Sequence, residues 1–211
     1  MTSHNKIVQI YKSRKNVLNI LETIYGYDIS DYSGFNFTEI DAMFLNNQLD
    51  MLLTSKTDKS PIHKTYIKYH TQSSLNAASL SPIVEDLYSL SDTLTPNDCL
   101  FIVYDGEPND SLINHLNYIY ANDGIFVVIY NIKRLQFNIL EHILVPKVSI
   151  LSNAEVKDLQ TRYNIDSMKK LPEISRYDPQ SLAICLRPGQ VCKFTRNSPT
   201  SMETPYYRMC I

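Results

Sequence analysis

Glycine is scarce in this chain, and several familiar catalytic motifs are missing. Only 5 of the 211 residues are glycine, which leaves little material for a loop that wraps a phosphate with backbone amides. The sequence contains no P-loop, nucleophile elbow, H-E-x-x-H pair or dinucleotide-binding glycine fingerprint. These absences argue against the common nucleotide-dependent and hydrolytic enzymes.

Cysteine is also sparse, and no two cysteines form a C-x-x-C pair. The four, each among apolar neighbours, are Cys99, Cys185, Cys192 and Cys210. This distribution disfavours a zinc site or a disulfide framework and predicts buried, reduced thiols. No apolar run approaches the roughly 20 residues that span a bilayer, and the polar N-terminus lacks a signal-peptide core. We therefore expect a protein of the cytosol or nucleus with no membrane partner.

Charge is nearly balanced overall but unevenly placed along the chain. The formal net charge is −2, which argues against a protein that coats nucleic acid on its own. From His142 onward there are ten Lys and Arg against six Asp and Glu, whereas the preceding part has ten against sixteen. A basic tail and an acidic front can each contact a different partner.

The first two thirds of the chain predict helices around a small sheet. Apolar residues at helical spacing predict a first helix from about Asn5 to Tyr25, ended by Gly26. A second helix is predicted to start near Thr38. The polar stretch from Thr54 to Pro61 predicts a loop, and alternation from Lys64 to Thr71 predicts a strand.

Two continuous apolar runs, Cys99 to Tyr104 and Ile125 to Tyr130, predict strands that are covered on both faces. A turn and a short helix lie between them, so the two strands are predicted to be parallel. Ser81-Pro82 predicts a helix start, with the serine as cap and the proline in the first turn. Alternation from Leu135 to Ile139 predicts one further strand.

The tail from His142 onward is dense in helix caps and turns. Ser152 and Glu155 form a capping box at a helix start, and Asp178-Pro179 predicts a second capped helix. Proline and glycine in Arg187–Gln190 stand where a type II turn needs them. The closing elements are predicted as two strands and a loop between them, Val191 to Arg196, Tyr206 to Ile211 and Asn197 to Pro205.

These patterns predict an α+β protein of two domains. Residues 1–141 form N-terminal helices around a small mixed sheet. Residues 142–211 form a small C-terminal α+β domain with helices packed on a short sheet.

A series of residues in the tail carries a resemblance to a known family. In order they are His142-x-Leu144-Val145-Pro146, Leu151-Ser152, Glu155, Arg162-Tyr163, Leu171-Pro172-x-Ile174, Asp178-Pro179, Leu186, Gly189-x-Val191-x-Lys193, Arg196-x-Ser198 and Tyr207-Arg208. With these residues in register, the tail resembles a small subunit of the archaeal RNA polymerases. That archaeal subunit is similar to the C-terminal domain of subunit five of the eukaryotic nuclear RNA polymerases.

The front resembles the N-terminal domain of the eukaryotic subunit more loosely. Gly26-Tyr27, the strand that ends at Tyr104 and the turn at Pro108 fall where that family has counterparts. The small archaeal subunit lacks this domain, so the layout implies a eukaryote or a large DNA virus. The loose front favours a viral version of the asfarvirus type, which implies the host cytoplasm and the virion. A cellular protein would instead be nuclear.

The resemblance implies a non-catalytic structural subunit of a multisubunit DNA-directed RNA polymerase that acts in transcription. The C-terminal assembly domain would dock on the largest subunit, and the N-terminal jaw domain would form part of the lower jaw beside downstream duplex DNA. Nucleotidyl transfer and its magnesium would belong to the two large subunits. We therefore expect no cofactor, no resident metal and no small-molecule substrate.

The DNA contact implied by the family falls on the turn Pro108, Asn109, Asp110 and Ser111. A helix follows this turn, and its N-terminal amides could face a phosphate. The competing interpretation is a plain surface turn that caps the helix, since Asp110 repels phosphate.

The subunit interface is expected to involve the tail residues of the family motif. They are His142, Val145, Pro146, Pro172, Asp178, Pro179, Gly189, Lys193, Arg196, Tyr207 and Arg208. His142 is interpreted as a structural histidine at an interdomain hinge rather than a metal ligand or base. Lys193, Arg196 and Arg208 could bind phosphate, but we favour pairing with acidic groups of the partner subunit or solvation.

Two alternative functions stay open from the sequence. One is a free-standing transcription adaptor that joins no polymerase. The other is a restriction-type nuclease, which needs a Glu-x-Lys on a strand to hold magnesium. The Glu-x-Lys of this chain, Glu155-Val156-Lys157, lies in a predicted helix of the tail, so the nuclease is the weaker alternative.

Overall fold

The computed structural model describes residues 3–55, 64–71 and 73–211, without the side chains of residues 3 and 4. The chain divides into an N-terminal unit that ends at Asn138 and a C-terminal unit, Ile139–Ile211. The predicted domain boundary lies a few residues beyond this division. Both units combine helices with a four-stranded sheet, which confirms the α+β class.

The N-terminal unit has a mixed sheet in the order β1-β2-β3-β4. Strands β1 and β2 are antiparallel, whereas β2 to β4 are parallel neighbours. Its described helices and strands are α1 (Ser3–Tyr25), α2 (Phe37–Leu45), β1 (Met51–Thr54), β2 (Lys64–His70), α3 (Ala77–Glu85), β3 (Cys99–Tyr104), α4 (Asp110–Asp123) and β4 (Phe126–Asn131).

The two apolar runs predicted as parallel strands are β3 and β4, and the prediction is confirmed. Cys99 is in register with Phe126, and Tyr104 with Asn131. All residues of β4 and all but the last of β3 are buried, because helices cover both faces of such a sheet. The crossover helix α4 ends at Gly124, whose φ of 68° suits a residue without a side chain.

Two sequence predictions in this unit are wrong. Helix α3 begins after Asn76, whose side chain accepts the Ser79 N–H at 2.9 Å, so Ser81 is not the cap and Pro82 lies inside the helix. The strand predicted around Leu135 is a pair of 3-10 turns, Ile132–Gln136 and Ile139–Glu141.

A hydrogen bond explains why the chain turns after β4. The Asn131 side chain accepts the backbone N–H of Lys133 at 2.9 Å, a local bond that favours a turn over strand continuation. Strand β1 was not predicted, and it includes Thr54, the first residue of the predicted loop. Most of that loop, residues 56–61, lies outside the described residues.

The C-terminal unit has a second sheet in the order β5-β7-β8-β6. Its helices and strands are β5 (Lys147–Ile150), α5 (Asn153–Tyr163), β6 (Glu173–Ile174), α6 (Pro179–Ala183), β7 (Val191–Ser198) and β8 (Met202–Cys210). The capping box at Ser152 and the Asp178 cap are confirmed. Leu159, Leu171 and Val191 form the centre of a buried apolar cluster.

The predicted loop from Asn197 to Pro205 is wrong, because most of it belongs to the hairpin. Strand pairing continues out to Ser198 opposite Met202, with Pro205 opposite Thr195. Proline is tolerated there because β6 pairs only with Met209 and Cys210, so this part of β8 lies at a sheet edge. The short strands β5 and β6 were not predicted.

Candidate functional site

Four residues of the tail motif stabilise local backbone structure. Asp178 accepts the Gln180 N–H at 2.9 Å, and Pro179 is the first residue of α6. Gly189 has a φ of 87° in the turn before β7, as its position in a type II turn requires. Pro172 accepts the Met209 N–H at 2.9 Å through its carbonyl. These residues shape the unit rather than its surface chemistry.

The motif around His142 forms a tight, exposed turn. The His142 carbonyl accepts the Val145 N–H at 2.9 Å, and its Nδ1 accepts the Leu144 N–H at 3.3 Å. The Pro146 carbonyl accepts a hydrogen bond from Gln180 Nε2 at 3.0 Å, so the turn is tied to α6. The side chains of Ile143 and Leu144 are 94% and 83% exposed. Sequence reasoning did not single out these two aliphatic residues.

The structure separates the three basic residues of the closing strands. Lys193 pairs with Tyr207, whereas Phe194 pairs with Tyr206 and Cys192 with Arg208. Because side chains alternate between the faces of a strand, Lys193 lies on the face opposite to Arg196 and Arg208. Lys193 therefore cannot share one anion with the two arginines.

Arg196 and Arg208 both contact the ring of Tyr206. Their guanidinium carbons lie 4.4 and 5.3 Å from the ring centroid, within the range of a cation–π interaction. Arg208 also donates from Nη1 to the Glu173 carbonyl at 3.0 Å. No carboxylate within the described ranges pairs with either arginine. Two-residue alternation was the signal that could have identified Tyr206.

The opposite face of the hairpin packs against α5. Tyr207 meets Tyr163 edge to face, with ring centroids 6.0 Å apart, and borders the cluster around Leu159. Hydrogen bonds from Ser152 lower the pKa of the Glu155 carboxyl, with a smaller contribution from the positive charge of Lys193. Tyr207 and Lys193 thus belong to the internal packing side of this sheet.

The turn predicted to face DNA is a capped helix start. The Asn109 side chain accepts the Leu112 N–H at 2.9 Å, and Asp110 is the first residue of α4. Ser111 is exposed, and Pro108 is partly buried. A helix N-terminus attracts phosphate, but here the cap is taken and Asp110 adds a negative charge.

Two cations beside this turn were missed by sequence reasoning. Lys133 Nζ lies 3.5 Å from Asp105 Oδ1, and Arg134 Nη2 lies 3.1 Å from Glu107 Oε1. Their side chains are 57% and 42% exposed. They follow β4, and the two acids follow β3, so all four meet at the carboxyl edge of the parallel sheet. Ligands of open α/β sheets usually bind at this edge.

The described residues offer little material for catalysis or metal binding. No cluster of three or more His, Cys, Asp or Glu in residues 3–55, 64–71 and 73–211 could hold a metal ion. Glu155 of the Glu-x-Lys sequence accepts the Ser152 N–H at 2.8 Å in its capping box. All four cysteines are buried and free, and burial raises the pKa of Cys192 to about 11 and that of Cys210 to about 12. Among the described helices, none has both the length and the apolar character to span a bilayer.

Comparison with known proteins identifies relatives of the C-terminal unit. The family described as RNA polymerase Rpb5, C-terminal domain, matches residues 137–210. DNA-directed RNA polymerase subunit Rpo5 of Thermococcus kodakarensis is 40% identical over 76 residues, which are 36% of this chain and 92% of that protein. The Rpo5 subunit of Nitrosopumilus maritimus is 38% identical over 79 residues, or 37% of this chain and 94% of that protein.

A third archaeal subunit agrees with these two. Rpo5 of Methanosarcina acetivorans is 40% identical over 76 residues, which are 36% of this chain and 96% of that protein. Each archaeal subunit is therefore covered over nearly its whole length by about a third of this chain.

Proposed function

This chain belongs to the Rpb5/Rpo5 family of DNA-directed RNA polymerase subunits, and on that premise we propose how its two units serve the enzyme. Members of this family are structural, non-catalytic subunits that associate with other polymerase subunits. We propose that the C-terminal unit docks on the largest subunit. The N-terminal unit then forms part of the lower jaw beside downstream duplex DNA.

The observation that carries the docking proposal is the arrangement of Arg196, Tyr206 and Arg208. The ring of Tyr206 holds both guanidinium groups, so less rotamer entropy is lost when they bind a partner. Since neither arginine has a carboxylate partner in the described part of the chain, acidic side chains of the largest subunit are the matching chemistry. A docking face of roughly 800 Å² per partner is ordinary for a stable complex.

Ile143 and Leu144 support the same interface from another part of the unit. Two aliphatic side chains on a turn held by hydrogen bonds expose apolar surface that a partner could bury. Full burial of such a side chain contributes about 1.5–3 kcal/mol. We propose that they dock into an apolar recess of the largest subunit, together with the motif residues His142, Val145 and Pro146.

We test the docking proposal by co-purification with the polymerase. Replacing both Arg196 and Arg208 by glutamate should reduce recovery of the largest subunit more than tenfold, since each charge-assisted hydrogen bond contributes about 1.5–3 kcal/mol. The matched control replaces Lys157 and Arg162, two exposed cations of α5, by glutamate. Equal loss in both double variants would point to net charge rather than this face. Absence of a polymerase from the wild-type pull-down would favour a free-standing adaptor.

The DNA contact is proposed at the turn Pro108–Ser111 together with Lys133 and Arg134. A jaw needs only a few phosphate contacts, because phosphates carry no sequence information. Lys133 and Arg134 supply the positive charge that the turn lacks, once they exchange their carboxylate partners for phosphate. Non-specific DNA binding by the subunit alone should be weak, given the acidic front of the chain.

A photo-crosslinker in the assembled elongation complex tests this contact. Ser111 is a better position than Asn109, because the Asn109 side chain caps α4 and its loss would cost about 1 kcal/mol. We expect crosslinks from residue 111 to downstream DNA and none from Ser89, an exposed residue elsewhere in the same unit. Equal crosslinking at both positions, or none at 111, contradicts the jaw placement.

We further propose that the protein is the viral, asfarvirus-type version of this subunit and acts in the host cytoplasm and virion. The support is the layout: the archaeal subunits correspond to the C-terminal unit, while the N-terminal unit lies outside the residues that the family match covers. Detection of the protein in purified virions is the expected result. Accumulation in the nucleus of a cellular host would instead assign it to a cellular polymerase.

A further inference from the structure

A cleft in the N-terminal unit lies away from the turn proposed to meet DNA. Helix α1 and the segment from Ile29 to Ile40 enclose about 420 Å³. Its lining combines aromatic and aliphatic side chains with two basic residues, Arg14 and Lys15. Lys15 is exposed, whereas Arg14 is only 3% exposed.

The Arg14 guanidinium is buried without an anion. Its Nη1 donates to the Leu49 carbonyl at 2.9 Å, and the rings of Phe35 and Tyr32 lie 5.4 and 5.9 Å from its central carbon. Its Nε has no hydrogen-bond acceptor. Within the described ranges no carboxylate forms an ion pair with it.

A buried, uncompensated guanidinium is costly unless another interaction depends on it. Burial in an apolar environment penalises the charged form, and desolvation lowers the pKa of Arg14. The neighbouring rings and one carbonyl offset part of this penalty. A carboxylate that accepted hydrogen bonds from Nε and an Nη group would offset it further, in the fork geometry that arginine favours.

No acid of the cleft itself fulfils this role. Glu22 lines the cleft, but it follows Arg14 by eight residues on the same helix, about 12 Å along its axis. A ligand from outside therefore has to bring the negative charge.

The charge of the unit limits what kind of anion can enter. Residues 1–138 contain ten Lys and Arg against fifteen Asp and Glu, so a polyanion such as nucleic acid is repelled over long range. The cleft also offers apolar contacts from Leu18, Phe35 and Tyr11. From these observations we infer that the cleft binds a short, mostly apolar peptide segment of a partner protein, with one carboxylate placed on Arg14.

Binding of a defined peptide to the full chain tests this inference. The probe is a short peptide of alternating leucine and serine with one central glutamate, and its match has glutamine there. The glutamate peptide should bind at least about tenfold more tightly, because a charge-assisted hydrogen bond contributes about 1.5–3 kcal/mol. The Arg14 Nε–H resonance, observed by ¹⁵N NMR, should shift with the glutamate peptide only.

Variants separate the cleft from general adhesion to the protein. Arg14→Gln should abolish the difference between the two peptides. Lys15→Ala should weaken the glutamate peptide several-fold, whereas Lys12→Ala, the same charge change at an exposed position of α1, should leave it unchanged. If Arg14→Gln does not fold, the Lys15 and Lys12 pair and the Nε–H shift in the wild type still decide.

Three results would overturn the inference. One is equal affinity for both peptides, and another is absence of binding by either. The third is an Arg14 Nε–H shift of the same size with inorganic phosphate alone, which would make the cleft a general anion site. Because the isolated full chain is used, these outcomes do not depend on whether the polymerase docking proposal holds.

Discussion

Replacing Leu159 by alanine tests how far the C-terminal unit depends on one small core. Leu159 is 5% exposed and packs with Leu171 and Val191. Loss of a buried leucine side chain costs about 2–5 kcal/mol, and less where neighbours can close the cavity. Val156 and Met168 are only partly buried around it, so we expect about 2–3 kcal/mol. A unit of this size rarely holds more than about 3–5 kcal/mol, so the variant should be close to unfolding.

Hydrogen exchange of the full chain, read by mass spectrometry, measures this effect in each unit. The amides of β7 and β8 should exchange roughly 30- to 140-fold faster, since about 1.4 kcal/mol corresponds to tenfold. The control is Leu116→Ala on α4, at a site 2% exposed, which should accelerate exchange in the N-terminal sheet instead. Unchanged protection of β7 in Leu159→Ala, or equal acceleration in both variants, would refute the picture of a separately stabilised docking unit.

Three further predictions concern the C-terminal unit. Gly189→Ala should destabilise it by about 1–2 kcal/mol in urea titration, because alanine is strained at a φ of 87°; an unchanged midpoint would contradict this. Glu155 has a lowered pKa, so its stabilisation is complete above its ordinary value near 4.5 and is lost as the pH falls through the lower folded value; Glu155→Gln should flatten that acid limb. Cys192 and Cys210, with pKa values raised to about 11 and 12, should resist iodoacetamide at neutral pH until denaturant is added.

The elements that could be predicted from sequence are those with a strong local signal. Strands β3 and β4 are continuous apolar runs, and no helix pattern competes with them. Ser152 and Asp178 are side chains that satisfy amides a few residues away, so their role can be recognised without tertiary contacts. The hydrophobic residues of α1 likewise repeat over many turns.

The wrong predictions arose where tertiary context overrode a local rule. Pro82 suggested a first helical turn, but Asn76 and Ser79 cap α3 earlier, a pairing without the usual acidic partner. Pro205 suggested a loop, yet the open edge of β8 tolerates it. Strands β5 and β6 have four and two residues, too few for an alternation pattern to emerge.

The candidate interfaces were predicted only in part for a related reason. The sequence placed Lys193, Arg196 and Arg208 on two strands, but the register decides which of them share a face, and register is a long-range property. Lys133 and Arg134 are distant in sequence from the turn at Asn109. Only the parallel pairing of β3 with β4 brings them to its side.

The distribution of charge suggests how the two proposed contacts depend on each other. The cations beside the DNA-facing turn are already paired with Asp105 and Glu107, and each phosphate contact releases only about one counterion. Such a surface gives little affinity for free DNA. Docked through Arg196 and Arg208, however, the subunit would meet downstream DNA at a high effective concentration, so that weak contacts suffice. The proposed jaw contact therefore requires the docking contact, whereas docking does not require DNA.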